Sequence, residues 1–446
     1  MKNISPTSII VLIVFLLSGC GGEGGSQIPA PTVNLYISES KVSVGTSVTL
    51  TWSSLNASSC TGLESMTGGA QATSGSKAIT PTVGGQFSYT LSCDGAGGNT
   101  KNSVLLIVPM PVLKSSYENK IAAGKVLGPV KTNGDATAFA DFLQDGSYSM
   151  VRMSLIYDVN KPISSAIPGQ IYFYQNKNGV WNDITSKLIT NTTACIHPRK
   201  AMVADINGDR KPDVVFACHG YDSPPFPGEQ QHILVSQPDG TYKNVTLPTT
   251  AYAHGGSVAD VKGNGFADII YTDTTVRKQP FYLVNNNDGT FTEDSTRVPQ
   301  SLKCCERPIY SMEFIDFNSD DKYDLWVGAS IHNADANGYV NNINSEIYYG
   351  IFGGNFSTTV SKILPSSLVA GATLDIIFEQ GKIYLLNTLD YTGISIDKYD
   401  INNNTFSTPY THTGHYPNAG SWFSWIIIYN DNIRASNSDY QVSIPK

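Results

Sequence analysis

The 446-residue sequence lacks an excess of basic residues and carries little charge of either sign. It has 29 lysines and arginines against 37 acidic residues, a formal net charge of −8, and charged residues make up only 15% of the chain. Nucleic-acid binding needs a basic surface that neutralises phosphates, so this composition argues against it. Ser, Thr, Asn and Gly are abundant instead, which is typical of an exported β-protein with many turns.

Near its N-terminus the sequence has an apolar run that is too short to cross a membrane. The run IIVLIVFLL, from Ile9 to Leu17, has nine residues, whereas a spanning helix needs about 20. Lys2 before the run and small residues after it predict a secretory signal peptide over 1–19. The stretch Leu17-Ser18-Gly19-Cys20 resembles the lipobox of bacterial lipoproteins. An ordinary signal peptide before a chance cysteine is the alternative.

The lipobox resemblance implies where the protein resides. Cleavage before Cys20 and acylation of its thiol and new amino group would anchor the exported chain to the bacterial outer membrane. The protein would then be surface-exposed or would face the periplasm. The Gly-rich and Pro-containing segment 20–31 predicts a flexible tether between the lipid and the folded chain.

Cysteine is scarce, with seven residues in the chain. If Cys20 carries lipid, six cysteines remain for an oxidising compartment, and their expected pairs are Cys60–Cys93, Cys195–Cys218 and Cys304–Cys305. Sequence alone does not fix this connectivity. A bond between the adjacent Cys304 and Cys305 would close a strained eight-membered ring, and two free thiols are the alternative there.

Residues 32–109 form the first predicted domain. Apolar and polar positions alternate there in short runs separated by Gly and Asn turns, which predicts a small β-sandwich. Its stretches LTWSS and YTLSC, with Trp52, Cys60 and Cys93, resemble bacterial immunoglobulin-like domains. The resemblance implies a disulfide between these two cysteines and the role of a spacer.

The second predicted domain, 112–446, repeats one pattern. A strand ending at an aspartate leads into an Asp/Asn/Gly loop and a second apolar strand, and the leading residues Asp141, Asp205, Asp260 and Asp316 stand 64, 55 and 56 residues apart. A second hairpin, with Gly or Asn before an aromatic residue, completes each four-stranded unit. Such sheets bury their faces only against one another, so we expect a closed ring.

This pattern resembles the FG-GAP/VCBS repeats of β-propellers related to the head of the integrin α-chain. The resemblance implies an all-β chain in which the immunoglobulin-like β-sandwich is followed by a propeller of six or seven blades. Six units are counted, and the last two, ATLDIIFEQGKIYLLNT and SWFSWIIIYNDNIRASNS, lack cation loops. A seventh blade would borrow a strand from the segment 114–130.

Two of the repeat loops have the oxygen-rich pattern of a calcium site. Phe216 stands at position 12 of the first, where an EF-hand has a glutamate, so the loop is of the propeller type. The loops with Lys262 and after Asp141 are predicted to be weak or empty. A metal-free Asx turn is the alternative. The expected ligands are Asp205, Asn207, Asp209, the Lys211 carbonyl and Asp213 in one loop, and Asp316, Asn318, Asp320 and Asp324 in the other.

A second cluster is predicted at the opposite end of the same strands. Folding the hairpin about Asp209 brings His197 close to His219, and the later units place further polar residues at the same end. On the inner strands of a propeller these side chains would surround the channel mouth, where ligands bind. The candidate residues are His197, Arg199, His219, Tyr221, His254, Arg307 and His332. Three neutral histidines could also hold zinc, but their spread over several blades weighs against it.

Three classes of function fit this mouth, and the sequence does not decide whether the chain is an enzyme. The favoured class is a binding protein for a glycan or another envelope or extracellular ligand, with Tyr221 and Phe226 stacking on sugars. The second is a polysaccharide lyase, by analogy with propeller enzymes such as ulvan lyases. There, Arg199 or Arg307 would neutralise a uronate, and His or Tyr221 would take its C5 proton. The third is a scaffold that binds an envelope protein.

Overall fold

The structure is a computed structural model, which describes residues 28–66, 69–130, 136–156, 162–303, 306–332, 342–389, 393–414, 423, 425–436 and 441–446. Cys20, Cys304 and Cys305 lie outside the described residues. The chain divides into two compact units, of which the larger comprises Ser40–Ser47, Thr80–Phe87 and Leu106–Lys446. No helix among the described residues has the length and apolarity to span a membrane.

The N-terminal region contains two antiparallel sheets, with strand orders β1-β2-β5 and β4-β3-β6-β7. Its strands are β1 (Thr32–Ile37), β2 (Val48–Leu55), β3 (Ser59–Glu64), β4 (Ala70–Gln71), β5 (Ser74–Ile79), β6 (Gly85–Gly95) and β7 (Gly98–Val108). Alternate residues of β1 and β2 are buried, as in strands with one face in a core. The strands lie where the alternation predicts them, and the immunoglobulin-like class stays a prediction.

The predicted Cys60–Cys93 disulfide is present and joins β3 to β6. The two cysteines are direct cross-strand partners within one sheet. In immunoglobulin domains the corresponding disulfide joins the two sheets. The position of the Cys60–Cys93 disulfide therefore differs from that in immunoglobulin domains, although these cysteines were part of the resemblance.

In its described residues the larger unit has six antiparallel sheets of three to five strands in chain order, which we call blades 1 to 6. Blade 1 has β8 (Ala136–Ala140), β9 (Ser149–Met153), β10 (Ile171–Lys177) and β11 (Val180–Asp183), followed by helix α2 (Thr185–Leu188). Blade 2 has β12 (Pro198–Ala204), β13 (Asp213–Cys218), β14 (Glu229–Ser236) and β15 (Tyr242–Ala251). Blade 3 has β16 (Gly256–Ala259), β17 (Asp268–Tyr271), β18 (Phe281–Asn285) and β19 (Phe291–Glu293).

Blades 4 to 6 are less regular. Blade 4 has β20 (Met312–Ile315), β21 (Asp324–Val327), β23 (Glu346–Tyr348) and β26 (Lys362–Ile363), and the small hairpin β24 (Gly350–Ile351) and β25 (Asn355–Phe356) precedes β26. Blade 5 has β27 (Gly371–Glu379), β28 (Lys382–Leu389), β29 (Gly393–Asp400) and β30 (Thr405–His412), with the short β22 (Ser330–Ile331) paired to β27. Blade 6 has β31 (Trp425–Tyr429), β32 (Asn432–Ser436) and β33 (Gln441–Pro445).

The blades close into a ring. The first strands of consecutive blades contact one another from β8 through β12, β16, β20 and β27 to β31. The rings of Phe139 in β8 and Trp425 in β31, 5.6 Å apart, join the first blade to the last. Apolar side chains fill the space between neighbours, as Val215 of blade 2 and Ile269 of blade 3 do. This arrangement is a β-propeller, so the predicted all-β propeller is confirmed, with six blades in the described part of the chain.

The segment expected to lend a strand to a seventh blade is instead a helix, α1 (Ser116–Leu127). The Ser115 side chain caps it by accepting from the Glu118 amide, and Gly128 ends it with φ 69°. The helix contacts the first strands of blades 1, 2, 3, 4 and 6. It therefore occupies the central channel, and the alternative in which this segment lends a strand to a seventh blade is wrong.

Polar side chains tie α1 to the surrounding blades. Lys120 Nζ lies 2.6 Å from Asp375 Oδ1 of blade 5, and Asn119 Nδ2 donates to the Val203 carbonyl of blade 2 at 3.1 Å. Gly124 allows close packing, since a Cβ there would lie 2.9 Å from Ile427 of blade 6. The channel is thus filled by helix along much of its length.

Candidate functional site

The structure brings His197 and His219 together, as the hairpin register predicts. His197 precedes β12 and His219 follows β13, and the His219 amide donates to the His197 carbonyl at 3.1 Å. Their ring centroids are 3.9 Å apart. The predicted disulfide between Cys195 and Cys218 joins the two segments next to these histidines. Both imidazoles are buried, with 6% and 0% of their surface exposed.

A row of rings continues from this pair across the neighbouring blades. Centroid distances are 5.0 Å from His219 to His254, 4.5 Å from His254 to Tyr310 and 5.9 Å from Tyr310 to His332. Tyr252 stacks on His219 at 4.4 Å. The ring row, as we call it, consists of His197, His219, Tyr252, His254, Tyr310 and His332.

Three residues that line one cavity of the channel occupy the same position in the repeat. Arg199, His254 and Tyr310 each stand six residues before the leading aspartate of their unit, and all three line the cavity beside α1. Each is half-buried. Equivalent positions in consecutive blades face the same axis, which is why these side chains converge. We call them the mouth triad.

The charges around the cavity are largely matched. Lys200 pairs with Glu313, and Lys120 pairs with Asp375; all four side chains line the same cavity. Arg199 adds a guanidinium that stays protonated in proteins, and its Nη1 lies 3.3 Å from His197 Nε2. The mouth triad therefore combines one fixed positive charge with an imidazole and a phenol.

His197, His219 and His254 are neutral at physiological pH. Burial, with a further contribution from the Arg199 guanidinium, lowers the pKa of His197 to about 2. Burial also lowers the pKa of His219 and that of His254 well below the ordinary value, and the charges of Arg199 and His197 act in the same direction. Each ring therefore carries one N–H donor and one acceptor nitrogen.

Glu229 holds the two ends of the blade 2 hairpin. Its Oε1 accepts from the amides of His197 at 3.1 Å and Gly220 at 2.8 Å, and its Oε2 accepts from the Ile196 amide at 2.9 Å. Burial raises the pKa of this carboxyl, and the three amides oppose the rise. Asp222 accepts a hydrogen bond from the Tyr252 hydroxyl. Sequence reasoning missed these contacts, which depend on non-local strands.

Two predicted residues are placed differently from the expectation. Arg307 was expected opposite His332, but the chain leaves that hairpin when β22 joins blade 5. Its guanidinium instead pairs with Glu346 at 2.8 Å and donates to the Ser301 carbonyl at 3.2 Å. Tyr221 lies two residues after His219 but is only 5% exposed, so its ring offers almost no face for a sugar.

Tyr252 and Tyr310 belong to the ring row although sequence reasoning did not select them. Tyr252 stands two residues before His254, and side chains two apart in an extended segment share a face. Tyr310 stands where His254 stands in the preceding unit. Aligning the units on their leading aspartates would have found both.

The two predicted calcium loops lie at the other end of the strands, between β12 and β13 and between β20 and β21. Asp205 accepts from the amides of Gly208 and Arg210, both at 2.7 Å. Burial, and to a smaller degree the neighbouring Asp209, raises the pKa of Asp213 to about 7. Burial and the neighbouring acids likewise raise the pKa of Asp324 to about 6. Crowded, desolvated carboxylates of this kind fit a hard cation.

The corresponding loop of blade 3 carries its own positive charge. Lys262 takes the position of Asn207 and Asn318, and its Nζ lies 3.0 Å from Asp268 Oδ1. An ammonium from the chain thus neutralises the buried acid in this loop.

Comparisons with known proteins agree with the repeat. Residues 205–271 match the FG-GAP-like repeat family. No curated protein matches the sequence. A crystal structure of a putative 6-phosphogluconolactonase from Bacteroides uniformis is similar at 13% identity and a TM-score of 0.43, covering 80% of this chain and 88% of that one.

Two further solved structures are similar at 10% identity and a TM-score of 0.38. The periplasmic gluconolactonase PpgL of Pseudomonas aeruginosa matches over 80% of this chain and 92% of its own. The fucose-specific lectin of Aleuria aurantia matches over 75% and 94%. Likeness at these identities does not transfer a ligand or a reaction to this chain.

Proposed function

We propose that this chain is an exported binding protein whose propeller takes an acidic glycan, or another anionic envelope or extracellular ligand, at the channel mouth. The observation that carries the proposal is the mouth triad. Arg199, His254 and Tyr310 come from one repeat position of three consecutive blades and line one cavity. A guanidinium binds carboxylates in a bidentate manner, and a tyrosine ring stacks on apolar sugar faces.

Helix α1 closes the inner end of this cavity. Its residues Ser116, Asn119, Lys120 and Ala123 line the inner side of the same cavity. A ligand would therefore enter from the end of the ring row and stop against the helix, rather than pass through the propeller. A chain end or a short branch of a polymer fits such a closed mouth.

Arg199→Gln should weaken the binding of acidic oligosaccharides by about 10- to 100-fold, because a hydrogen bond to a charged group contributes roughly 1.5–3 kcal/mol. The measurement is calorimetric titration with oligouronates of defined length. Arg277→Gln is the matched control, since Arg277 pairs with Glu293 on the outer part of blade 3 and should leave affinity unchanged. Equal affinity of native protein and Arg199→Gln would rule out the mouth triad as the site.

A lyase is the second candidate, favoured by the residue types of the mouth triad. Arg199 would neutralise the uronate carboxylate, neutral His254 would remove the C5 proton, and the Tyr310 hydroxyl would donate a proton to the leaving oxygen. The C5–H electrons would form a C4=C5 double bond while the C4–O bond breaks and its oxygen takes a proton. In the same titrations, ultraviolet absorbance from unsaturated uronates that disappears in His254→Ala would identify the enzyme. Tight binding without that absorbance supports the binding protein.

The proposal also covers where the protein is located and what its first domain does. A signal peptide over 1–19, a lipid on Cys20 and a tether would place the propeller at the outer membrane, with residues 32–109 as an immunoglobulin-like spacer. Cys20→Ser should move the protein from the membrane fraction to the soluble fraction on cell fractionation. Retention of the variant in the membrane fraction would exclude the lipid anchor.

Calcium is the proposed cofactor of the two oxygen-rich loops. Asp205, Asn207, Asp209, the Lys211 carbonyl and Asp213 would hold one ion, and Asp316, Asn318, Asp320 and Asp324 the other. Each ion would neutralise carboxylates that otherwise repel one another and would join the first two strands of its blade. The raised pKa of Asp213 and of Asp324 supports this role. The lysines of these two loops, Lys211 and Lys322, pair with Asp209 and Asp320, whereas in blade 3 Lys262 pairs with the buried Asp268 itself.

A further inference from the structure

We propose that His197, His219 and Asp222 form a binding site for a divalent transition-metal ion of the zinc class. One donor atom from each of the three side chains lies within 4.8 Å of the others. Zinc bonds to nitrogen and oxygen at about 2.0–2.2 Å, so two donors on one ion lie at most about 4 Å apart. In a tetrahedral site the donors lie about 3.4 Å apart, so an approach of at most about 1.4 Å between donor atoms completes the site. Two of the ligands come from one hairpin, which removes the objection that the histidines belong to separate blades.

His219 is arranged as a metal ligand. Its Nδ1 lies 2.9 Å from the Gly220 carbonyl, which only accepts, so Nδ1 carries the proton and Nε2 presents a lone pair. That Nε2 is buried and has no hydrogen-bond partner among the described residues, an arrangement that is unfavourable unless a ligand binds there. Metal-binding histidines commonly donate their other N–H to a backbone carbonyl in this way.

The surroundings fix all three ligands. The Cys195–Cys218 disulfide and the Glu229 carboxylate hold the backbone beside both histidines. The Tyr252 hydroxyl donates to Asp222, and its ring stacks on His219. Carboxylate ligands of metals are characteristically hydrogen-bonded by such outer groups. The two cysteines themselves are bonded to each other and are not ligands.

The donor set decides the class of ion. Two imidazoles and one carboxylate suit zinc and similar ions, whereas calcium prefers oxygen alone. Three protein ligands leave a fourth position for water or a ligand. Arg199 opposes the ion, because its Nη1 lies 3.3 Å from His197 Nε2. Removing that guanidinium should therefore strengthen metal binding while it weakens the binding of an acidic glycan.

The test is a titration of the full-length chain with zinc chloride, in about 2 mM calcium so that the oxygen-rich loops stay filled. Calorimetry should give one equivalent of zinc, and cobalt(II) should give the intense visible bands of a tetrahedral site. His219→Gln and Asp222→Asn should each weaken zinc binding by at least about 10-fold, and Tyr252→Phe by about 10-fold through Asp222. Arg199→Gln should bind zinc more tightly than the native chain.

His232→Gln is the matched control for this series. His232 is a buried histidine of the same blade, bonded to Asn244 at 3.0 Å and outside the ring row, so its replacement should leave zinc affinity unchanged. Equal zinc affinity in native protein and in His219→Gln, or no zinc binding at all, would overturn the proposal. If His219→Gln fails to fold, the zinc affinity of Asp222→Asn, which changes the least buried ligand, is the test, and an affinity equal to that of native protein would overturn the proposal. The glycan titration is a separate readout, so either result stands without the other.

Discussion

Lys120→Met should lower the free energy of unfolding by about 3–5 kcal/mol, because it removes one partner of a buried ion pair. Lys120 and Asp375 are 15% and 5% exposed, with 2.6 Å between Nζ and Oδ1. Without the ammonium the Asp375 carboxylate would be left with neutral donors such as the amides of Ile376 and Ile426. Chemical denaturation followed by far-ultraviolet circular dichroism measures the change.

The control lies on the same helix. Lys125 pairs with Glu379 at 3.0 Å, but its side chain is 51% exposed, and exposed pairs contribute at most about 1 kcal/mol. Lys125→Met should therefore be nearly neutral. Adding Asp375→Asn to Lys120→Met should recover part of the loss, since it removes the unpaired charge. Equal, small effects of the two lysine variants would mean that α1 is not anchored in the channel as described.

Removing calcium should destabilise the propeller by up to about 5 kcal/mol. A ligand at 100 times its Kd stabilises the folded state by about 2.7 kcal/mol per site, and two loops have the required oxygen pattern. Thermal unfolding of dialysed protein should occur at a lower temperature than with millimolar calcium. Asp205→Ala should lower the melting temperature in calcium and should reduce the shift between the two conditions to about half.

Two controls make this result specific. Asp239→Ala changes an exposed acid in a hairpin turn outside the loops and should leave the calcium shift intact. Any stabilisation by zinc in place of calcium should be equal in native protein and in Asp205→Ala, because the loops offer oxygen ligands only. Equal melting temperatures of native protein with and without calcium would contradict the calcium proposal.

Local patterns in the sequence were sufficient to predict the blades. The Asp/Asn/Gly loops define hairpins whose register is fixed at the turn, so the meeting of His197 with His219 was predictable and the Cys195–Cys218 bond was one expected pairing. The predicted placement of Arg307 opposite His332 was wrong for two reasons. Its partner Glu346 lies on a strand 39 residues later, and β22 pairs with the next blade instead of continuing the hairpin. Register arguments hold only as far as both strands stay paired.

Helix α1 was missed although its local signals are present. Ser115 and Glu118 have the spacing of a capping box, and Gly128 marks a helix end. The helix was hidden because the apolar residues of SYENKIAAGKVL do not form one face, and its buried positions include polar residues such as Ser116 and Asn119. Arg199 and His254 were both predicted at the channel mouth, but their shared repeat position was not used, so Tyr310, at the same position of the next unit, was missed.

A crystal structure of the full chain with a bound acidic oligosaccharide tests the central claim most directly. We predict a uronate carboxylate on the Arg199 guanidinium, with the sugar ring against Tyr310 and His254 and the chain end stopping at α1. A glycan bound on the outer strands of the blades or on residues 32–109, with the channel mouth unoccupied, would contradict it.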